Sequence, residues 1–214
     1  MEARYVLFDF DGVIADTEES NVKYLGKALA VFGVVITPEE QAQLVGMNDP
    51  RILEKMLRRA RPPVTLKQLL EERQRQGNTY EDDPDLAPTP GVIEFLHRLR
   101  AAGKGIALVS STSARLILAA LNRLGLTGFF DVIICGDMVS EKKPSPECYR
   151  KAMALLRARP EECVIVEDSP VGIRAGKAAG AVVAACRCGR LRQDTSQADF
   201  EFESFEECMR LPVF

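Results

Sequence analysis

The stretch Tyr5-Val6-Leu7-Phe8-Asp9-Phe10-Asp11-Gly12 carries most of the fold prediction, because a short apolar run ends in two carboxylates and a glycine. A short run that is apolar throughout is typical of a strand covered on both faces. Side chains two residues apart on an extended strand point to the same side, so Asp9 and Asp11 should lie together. Gly12 lets the chain turn sharply after them. These residues alone favour a cation site and a pair of helix-capping carboxylates equally.

The same pattern, a short apolar run followed by a helical segment, recurs along the chain. Further apolar runs cover residues 105–110, 132–135, 163–167 and 181–185, and helical patterns cover residues 91–102, 114–124, 146–156 and 172–179. This alternation predicts an α/β fold, a doubly wound parallel sheet of the Rossmann-like kind with right-handed crossovers. Thr89 is expected to cap the first of these helices, with Pro90 as its first residue.

One segment breaks the alternation, because residues 16–88 contain helical patterns and no convincing strand. Thr37-Pro38-Glu39-Glu40 predicts a capping box, and Thr65 with Gln68 predicts another helix start. The predicted domains are a core of residues 1–15 and 89–214 and an inserted helical cap of residues 16–88. Such a cap would hinge over the carboxyl ends of the strands, where doubly wound sheets bind their ligands.

Composition narrows the classes of function. The 214 residues carry a net charge of −3, which argues against a nucleic-acid partner because no overall basic field exists. The only histidine, His97, falls on the polar side of its helix, so a Ser-His-Asp hydrolase is not expected. The six cysteines form no Cys-x-x-Cys pair and are expected to be free thiols. No signal peptide or membrane span is visible, so a cytoplasmic monomer without membrane partners is predicted.

Polar clusters follow three later strands. Ser110-Ser111-Thr112 precedes a helix, where hydroxyls and free amides can bind an anion or simply cap the helix. Lys142 and Lys143 precede a proline, and either could place a fixed positive charge on a phosphate. Glu167 and Asp168 directly follow a buried strand, a costly position for acids unless a cation is present.

Together these clusters predict phosphoryl chemistry at one edge of the sheet. Oxygens of Asp9, Asp11, Asp168 and Glu167 would hold Mg²⁺, and Ser110, Ser111, Thr112 and one lysine would bind the phosphate. Asp9 would attack phosphorus and form an aspartyl-phosphate. Asp11 would protonate the leaving alkoxide and then deprotonate the water that clears the intermediate.

At these residues the chain resembles the haloacid dehalogenase superfamily. It is most similar to the subfamily with a small helical cap, which includes β-phosphoglucomutase and many small-molecule phosphatases. The Asp-x-Asp-Gly motif matches residues 9–12, the strand-ending serine matches Ser110, and the acidic motif matches residues 167–173. The family lysine directly before proline matches Lys143 rather than Lys142. The resemblance implies Mg²⁺-dependent aspartyl-phosphate chemistry, and Asp11 argues against a dehalogenase.

Sugar phosphomutases of this superfamily are harder to separate from phosphatases. The mutase pattern has a histidine where Asn21 aligns and basic residues in a cap loop that here contains Met47 and Asn48. Holding a second phosphate needs basic groups, and this loop offers at most Arg51. A phosphatase is therefore favoured over a mutase. Asn21, Met47, Asn48 and Arg51 are predicted substrate contacts, from their place in the cap alone.

The sequence thus predicts a phosphatase of a small phosphorylated metabolite, most simply a sugar phosphate. The alternatives are a sugar phosphomutase and a non-catalytic module that binds a phosphorylated ligand. The partner in every case is a small phosphate ester.

Overall fold

The chain forms two compact units in the computed structural model, which describes residues 2–44, 50–189 and 193–214. One unit joins Met1–Asp16 to Ala87–Phe214, and the other is Thr17–Leu86. The predicted contacts Met47 and Asn48 lie outside the described residues, and so does the side chain of Arg51. No helix in the described ranges is long and apolar enough to cross a bilayer.

The first unit is built on a six-stranded parallel sheet with the order β3-β2-β1-β4-β5-β6. Its strands are β1 (Tyr5–Phe8), β2 (Gly105–Val109), β3 (Val132–Ile134), β4 (Cys163–Glu167), β5 (Val182–Cys186) and β6 (Phe200–Phe202). The predicted doubly wound α/β fold is confirmed. The edge strand β6 was not predicted, because three residues give no usable periodicity.

The second unit is helical. It contains α1 (Glu18–Val31), α2 (Pro38–Leu44), α3 (Pro50–Leu57) and α4 (Leu66–Arg75). Buried Leu25, Leu29, Met56 and Leu69 lie in its own hydrophobic cluster. Both predicted helix starts are confirmed, since the Thr37 and Thr65 hydroxyls accept the main-chain N–H three residues on.

In the described part of the sheet unit, the α-helices are α5 (Val92–Ala101), α6 (Ala114–Leu124), α7 (Glu147–Leu156), α8 (Pro170–Ala179) and the short α9 (Phe205–Cys208). The prediction that Thr89 caps α5 is wrong. The N-cap is Gly91, with φ +83°, and the buried Thr89 hydroxyl has no hydrogen-bond partner among the described residues. The Thr89 N–H instead donates to the Ile14 carbonyl, and the helix begins after Gly91.

Candidate active site

The register of the sheet brings the predicted site residues to one edge. Phe8, the last residue of β1, pairs with Leu108 of β2 and with Val166 of β4. The residues that follow these paired positions therefore lie together at the carboxyl edge of the sheet. Asp9 continues the alignment, since its N–H donates to the Val166 carbonyl at 2.9 Å. Ser110 follows β2 in the same way, and Glu167 ends β4 directly before Asp168.

Lys143 connects two of these strand ends. Its ammonium group lies 2.5 Å from Asp9 Oδ1 and 2.7 Å from Glu167 Oε1, and it also donates to the Val109 carbonyl at 3.1 Å. The Lys143 side chain is 5% exposed, whereas Lys142 lies on the surface. Of the two lysines that the sequence offered, Lys143 is the one with its charge at the strand ends.

Glu167 uses both carboxylate oxygens inside the protein. Oε1 accepts from Lys143 and, at 2.9 Å, from the Tyr149 hydroxyl. Oε2 accepts from the N–H groups of Asp168 and Ser169 and from the Ser169 hydroxyl. Five donors on one fully buried carboxylate leave it little capacity for a cation. Glu167 is thereby suited to holding Lys143 in place.

The sequence did not predict that Tyr149 contributes to the site. It lies in α7 six residues after Lys143, where a buried aromatic residue is indistinguishable from ordinary core. The Lys143 ammonium also lies 4.9 Å from the centre of the Tyr149 ring. The ring and the hydroxyl thus fix both the lysine and its glutamate partner.

Burial and charge act in opposite directions on these groups. Burial raises the pKa of Asp9 well above its ordinary value, Lys143 opposes this rise, and the nearby Glu167 and Asp11 carboxylates add to it. Burial also disfavours charge on Lys143, but Asp9 and Glu167 outweigh that effect and hold its pKa well above the ordinary value. For Glu167 the penalty of burial is outweighed by Lys143, so its pKa is lowered. The single ammonium group of Lys143 thus contacts two buried carboxyl groups, those of Asp9 and Glu167.

Asp11 contacts the hydroxyl groups that follow β2. Its Oδ2 accepts from the Thr112 hydroxyl at 3.2 Å and from the Ser110 hydroxyl at 3.5 Å. Ser110 is buried and its hydroxyl also accepts from the Thr112 N–H at 3.0 Å, while Ser111 is exposed. The hydroxyl cluster after β2 thus orients Asp11 as well as offering donors to an anion.

Three acidic side chains come close enough to share a cation. Asp9, Glu167 and Asp168 each place one oxygen within 4.8 Å of the others, and Asp11 is not in this group of described residues. Asp168 is half-buried and accepts from the Gln193 side chain at 3.2 Å. Carboxylate oxygens are the ligands that Mg²⁺ prefers, so the donor set fits this ion.

Comparison with known proteins identifies the family. Residues 6–186 match the model of the haloacid dehalogenase-like hydrolases. The chain belongs to this family. It is 33% identical over 184 residues to the phosphorylated carbohydrates phosphatase of Thermotoga maritima, covering 84% of this chain and 82% of that protein. It is 29% identical over 211 residues to the phosphoglycolate phosphatase of Aquifex aeolicus, covering 97% of this chain and 96% of that protein.

A solved structure of the family has the same fold. The putative β-phosphoglucomutase of Thermotoga maritima superimposes with a TM-score of 0.78 at 28% identity, covering 98% of this chain and 99% of that one. The predicted haloacid dehalogenase resemblance and the predicted enzyme class, a hydrolase, are confirmed by these matches. The names of the two relatives support the phosphatase class.

In this hydrolase a glycine makes room for the buried glutamate. A Cβ atom at Gly172, in the first turn of α8, would overlap the Glu167 carboxylate. We expect Gly172→Ala to destabilise the protein by about 1–3 kcal/mol and to lower activity, because the glutamate that holds Lys143 must move. Chemical denaturation and phosphate release measure the two effects.

Gly128→Ala is the matched control, since nothing lies within 4 Å of a Cβ there and its φ is not positive. Equal stability of the Gly172→Ala and Gly128→Ala variants would contradict the assigned contact.

Proposed function

We propose that this hydrolase is a Mg²⁺-dependent phosphatase that cleaves a small phosphorylated metabolite, most simply a sugar phosphate, through an aspartyl-phosphate on Asp9. The observation that carries the proposal is the Asp9 carboxylate at the sheet edge, 2.5 Å from the Lys143 ammonium and grouped with the Glu167 and Asp168 carboxylates. The family of the chain and the phosphatase names of its relatives support the same activity.

Asp9 and Asp168 are the proposed side-chain ligands of Mg²⁺. Asp9 keeps one oxygen, Oδ2, outside the described contact with Lys143, and Asp168 is half-buried beside it. Asp11 and Glu167 were also predicted as ligands, but their carboxylates are engaged by Thr112 and Ser110 and by five donors, respectively. When bound, Mg²⁺ would supply positive charge that offsets the negative charge of the phosphoryl group.

Asp9 acts as the nucleophile in this proposal. Its pKa is raised by burial, so it needs nearby positive charge to be ionised, and Lys143 provides part of that charge. One Asp9 oxygen forms a bond to phosphorus as the bond to the leaving alkoxide breaks. Lys143, together with Ser110 and the amides after β2, binds the phosphoryl oxygens.

Asp11 acts as the acid and base. Thr112 and Ser110 donate to its Oδ2 and hold the carboxyl group in place beside the strand ends. Protonated Asp11 gives its proton to the leaving oxygen, and the resulting carboxylate then takes one from the water that attacks the phosphorus of the aspartyl-phosphate. Inorganic phosphate and free Asp9 are the products of that second step.

A sugar phosphomutase is the second candidate, favoured by the similarity to the putative β-phosphoglucomutase structure. Incubation with a panel of sugar phosphates separates the two. Stoichiometric inorganic phosphate supports the phosphatase, whereas an isomeric sugar phosphate without free phosphate would show the mutase.

Removal of the metal is expected to abolish turnover. With EDTA in excess, phosphate release should fall to background and return on addition of Mg²⁺, because the two proposed ligands, Asp9 and Asp168, lie in a cluster of carboxylates that needs a cation. Mg²⁺ at about 100 times its dissociation constant should also stabilise the protein by about 2.7 kcal/mol. Full activity in EDTA after dialysis would rule out the assigned metal role.

We further propose that residues 16–88 form a cap domain, inserted into a core domain of residues 1–15 and 89–214, and that the cap selects the substrate. The cytoplasmic location, the monomeric state and the lack of nucleic-acid or membrane partners stay predictions.

A further inference from the structure

The Asp168 carboxylate, a proposed ligand of Mg²⁺, is contacted by two other parts of the sheet unit. It packs against Gly12, where φ is +78° and where an added Cβ atom would overlap the carboxylate. Its Oδ2 also accepts a hydrogen bond from the Gln193 amide at 3.2 Å. Gln193 is 25 positions further along the chain and is half-buried, as Asp168 is. A residue outside the acidic cluster therefore contacts one of the acids that the metal needs.

An amide suits this position better than a cationic side chain. A lysine or arginine would pair with Asp168 and compete with a metal ion for its charge, as Lys143 pairs with Glu167 at 2.7 Å. The Gln193 amide is neutral, so it can orient the carboxylate by a hydrogen bond and leave the negative charge to the metal. Partners of this kind orient metal ligands and contribute to metal affinity.

The segment that carries Gln193 is itself anchored to the sheet. The buried Thr195 donates through its hydroxyl to Glu201 Oε1 in β6 at 2.5 Å. Glu201 Oε2 accepts from Arg187 Nη1 at 3.0 Å. The hydrogen bonds from Thr195 and Arg187 hold the pKa of Glu201 below its ordinary value, so Glu201 is an ionised acceptor at neutral pH. The main chain two residues after Gln193 is thus fixed in place.

We propose that Gln193 is a positioning residue of the metal site, whose amide orients the Asp168 carboxylate for Mg²⁺. This inference rests on the proposed Mg²⁺-dependent phosphatase function. It adds a residue that lies outside the strand-end motifs and acts on the metal through Asp168. The affinity of this enzyme for Mg²⁺ then depends on the segment that precedes β6.

Binding of Mg²⁺ alone tests the proposal. The metal-free protein is titrated with MgCl₂, and the dissociation constant is obtained from the rise in melting temperature. Gln193→Met nearly keeps the length of the side chain and removes its N–H donor. Its dissociation constant for Mg²⁺ should be about 10- to 100-fold higher than that of the wild type, the range seen when a partner of a metal ligand is lost.

Two further variants and a second readout support the measurement. Gln197→Met is the matched control, because Gln197 is an exposed glutamine of the same segment, and it should have the wild-type dissociation constant. Thr195→Val removes the hydroxyl that binds Glu201 and should also weaken Mg²⁺ binding, by less than Gln193→Met does. Phosphate release by Gln193→Met should fall more at low Mg²⁺ than at high Mg²⁺.

A merely structural role for Gln193 gives a different result. Gln193→Met would then melt at a lower temperature in EDTA and keep the wild-type dissociation constant for Mg²⁺, which would overturn the proposal. A wild type that Mg²⁺ does not stabilise would overturn it as well. If Mg²⁺ binds but no phosphate ester is hydrolysed, the proposed function fails, whereas a higher dissociation constant in Gln193→Met still supports the positioning role.

Discussion

Asp9→Asn is expected to reduce phosphate release by about 10⁴- to 10⁶-fold in kcat, the range seen when a nucleophile is removed from an enzyme that relies on it. The amide cannot form the aspartyl-phosphate, and it removes one carboxylate from the acidic group of Asp9, Glu167 and Asp168. Because the amide is neutral and nearly isosteric, the fold should be kept. Phosphate release under saturating substrate and Mg²⁺ measures the effect.

Asp85→Asn is the control for that variant, since Asp85 is an exposed aspartate outside the site. It should have wild-type kcat. A fall of less than tenfold in Asp9→Asn, with the melting temperature unchanged, would mean that another group attacks phosphorus.

Lys143→Met is expected to have the largest effect on stability, about 3–5 kcal/mol, because it leaves two buried carboxylates without their cation. Asp9 and Glu167 both contact Lys143, and Glu167 is fully buried. Activity should fall as well, since the lysine that contacts Asp9 is also the proposed phosphate ligand. Urea denaturation and phosphate release measure the two losses.

The stability loss in Lys143→Met should depend on pH. In the folded protein burial raises the pKa of Glu167, but Lys143 outweighs this effect and the pKa is lowered. The ion pair between Glu167 and Lys143 therefore stabilises the fold above the ordinary carboxyl pKa, and this contribution is lost as pH falls through the lowered pKa. The difference between wild type and Lys143→Met should therefore be largest near neutral pH and smaller in acid. Lys142→Met, a change at the exposed neighbour, should leave stability within about 0.5 kcal/mol. A difference between wild type and Lys143→Met that grows in acid would contradict the ion pairs.

The sequence predicted the sheet and its edge well, because short buried strands and the polar residues that end them are local signals. Asp9 and Ser110 directly follow β1 and β2, Glu167 is the last residue of β4, and these three strands are neighbours in the sheet. Lys143 could be chosen over Lys142 only through the family resemblance. Which lysine reaches the strand ends depends on the path of a loop, and spacing does not encode that path.

Other features depend on long-range packing, which a single sequence does not reveal. The position of Tyr149 in its helix predicts an ordinary core residue, yet its hydroxyl donates a hydrogen bond to Glu167. Arg73 and Asn21 are 52 positions apart and meet only once α1 and α4 pack together. Thr89 carries a strong local capping signal, but its main chain bonds to Ile14 and the helix starts later.

The most direct test of the central claim is to trap the phosphoryl group on the protein. Wild-type enzyme turning over a good substrate with Mg²⁺ is quenched in acid within milliseconds, digested, and analysed by mass spectrometry. The account predicts a phosphoryl group on the peptide that contains Asp9, absent in Asp9→Asn and absent without substrate. Rapid phosphate release, with that peptide unmodified at every quench time and a phosphoryl group on another residue, would contradict it.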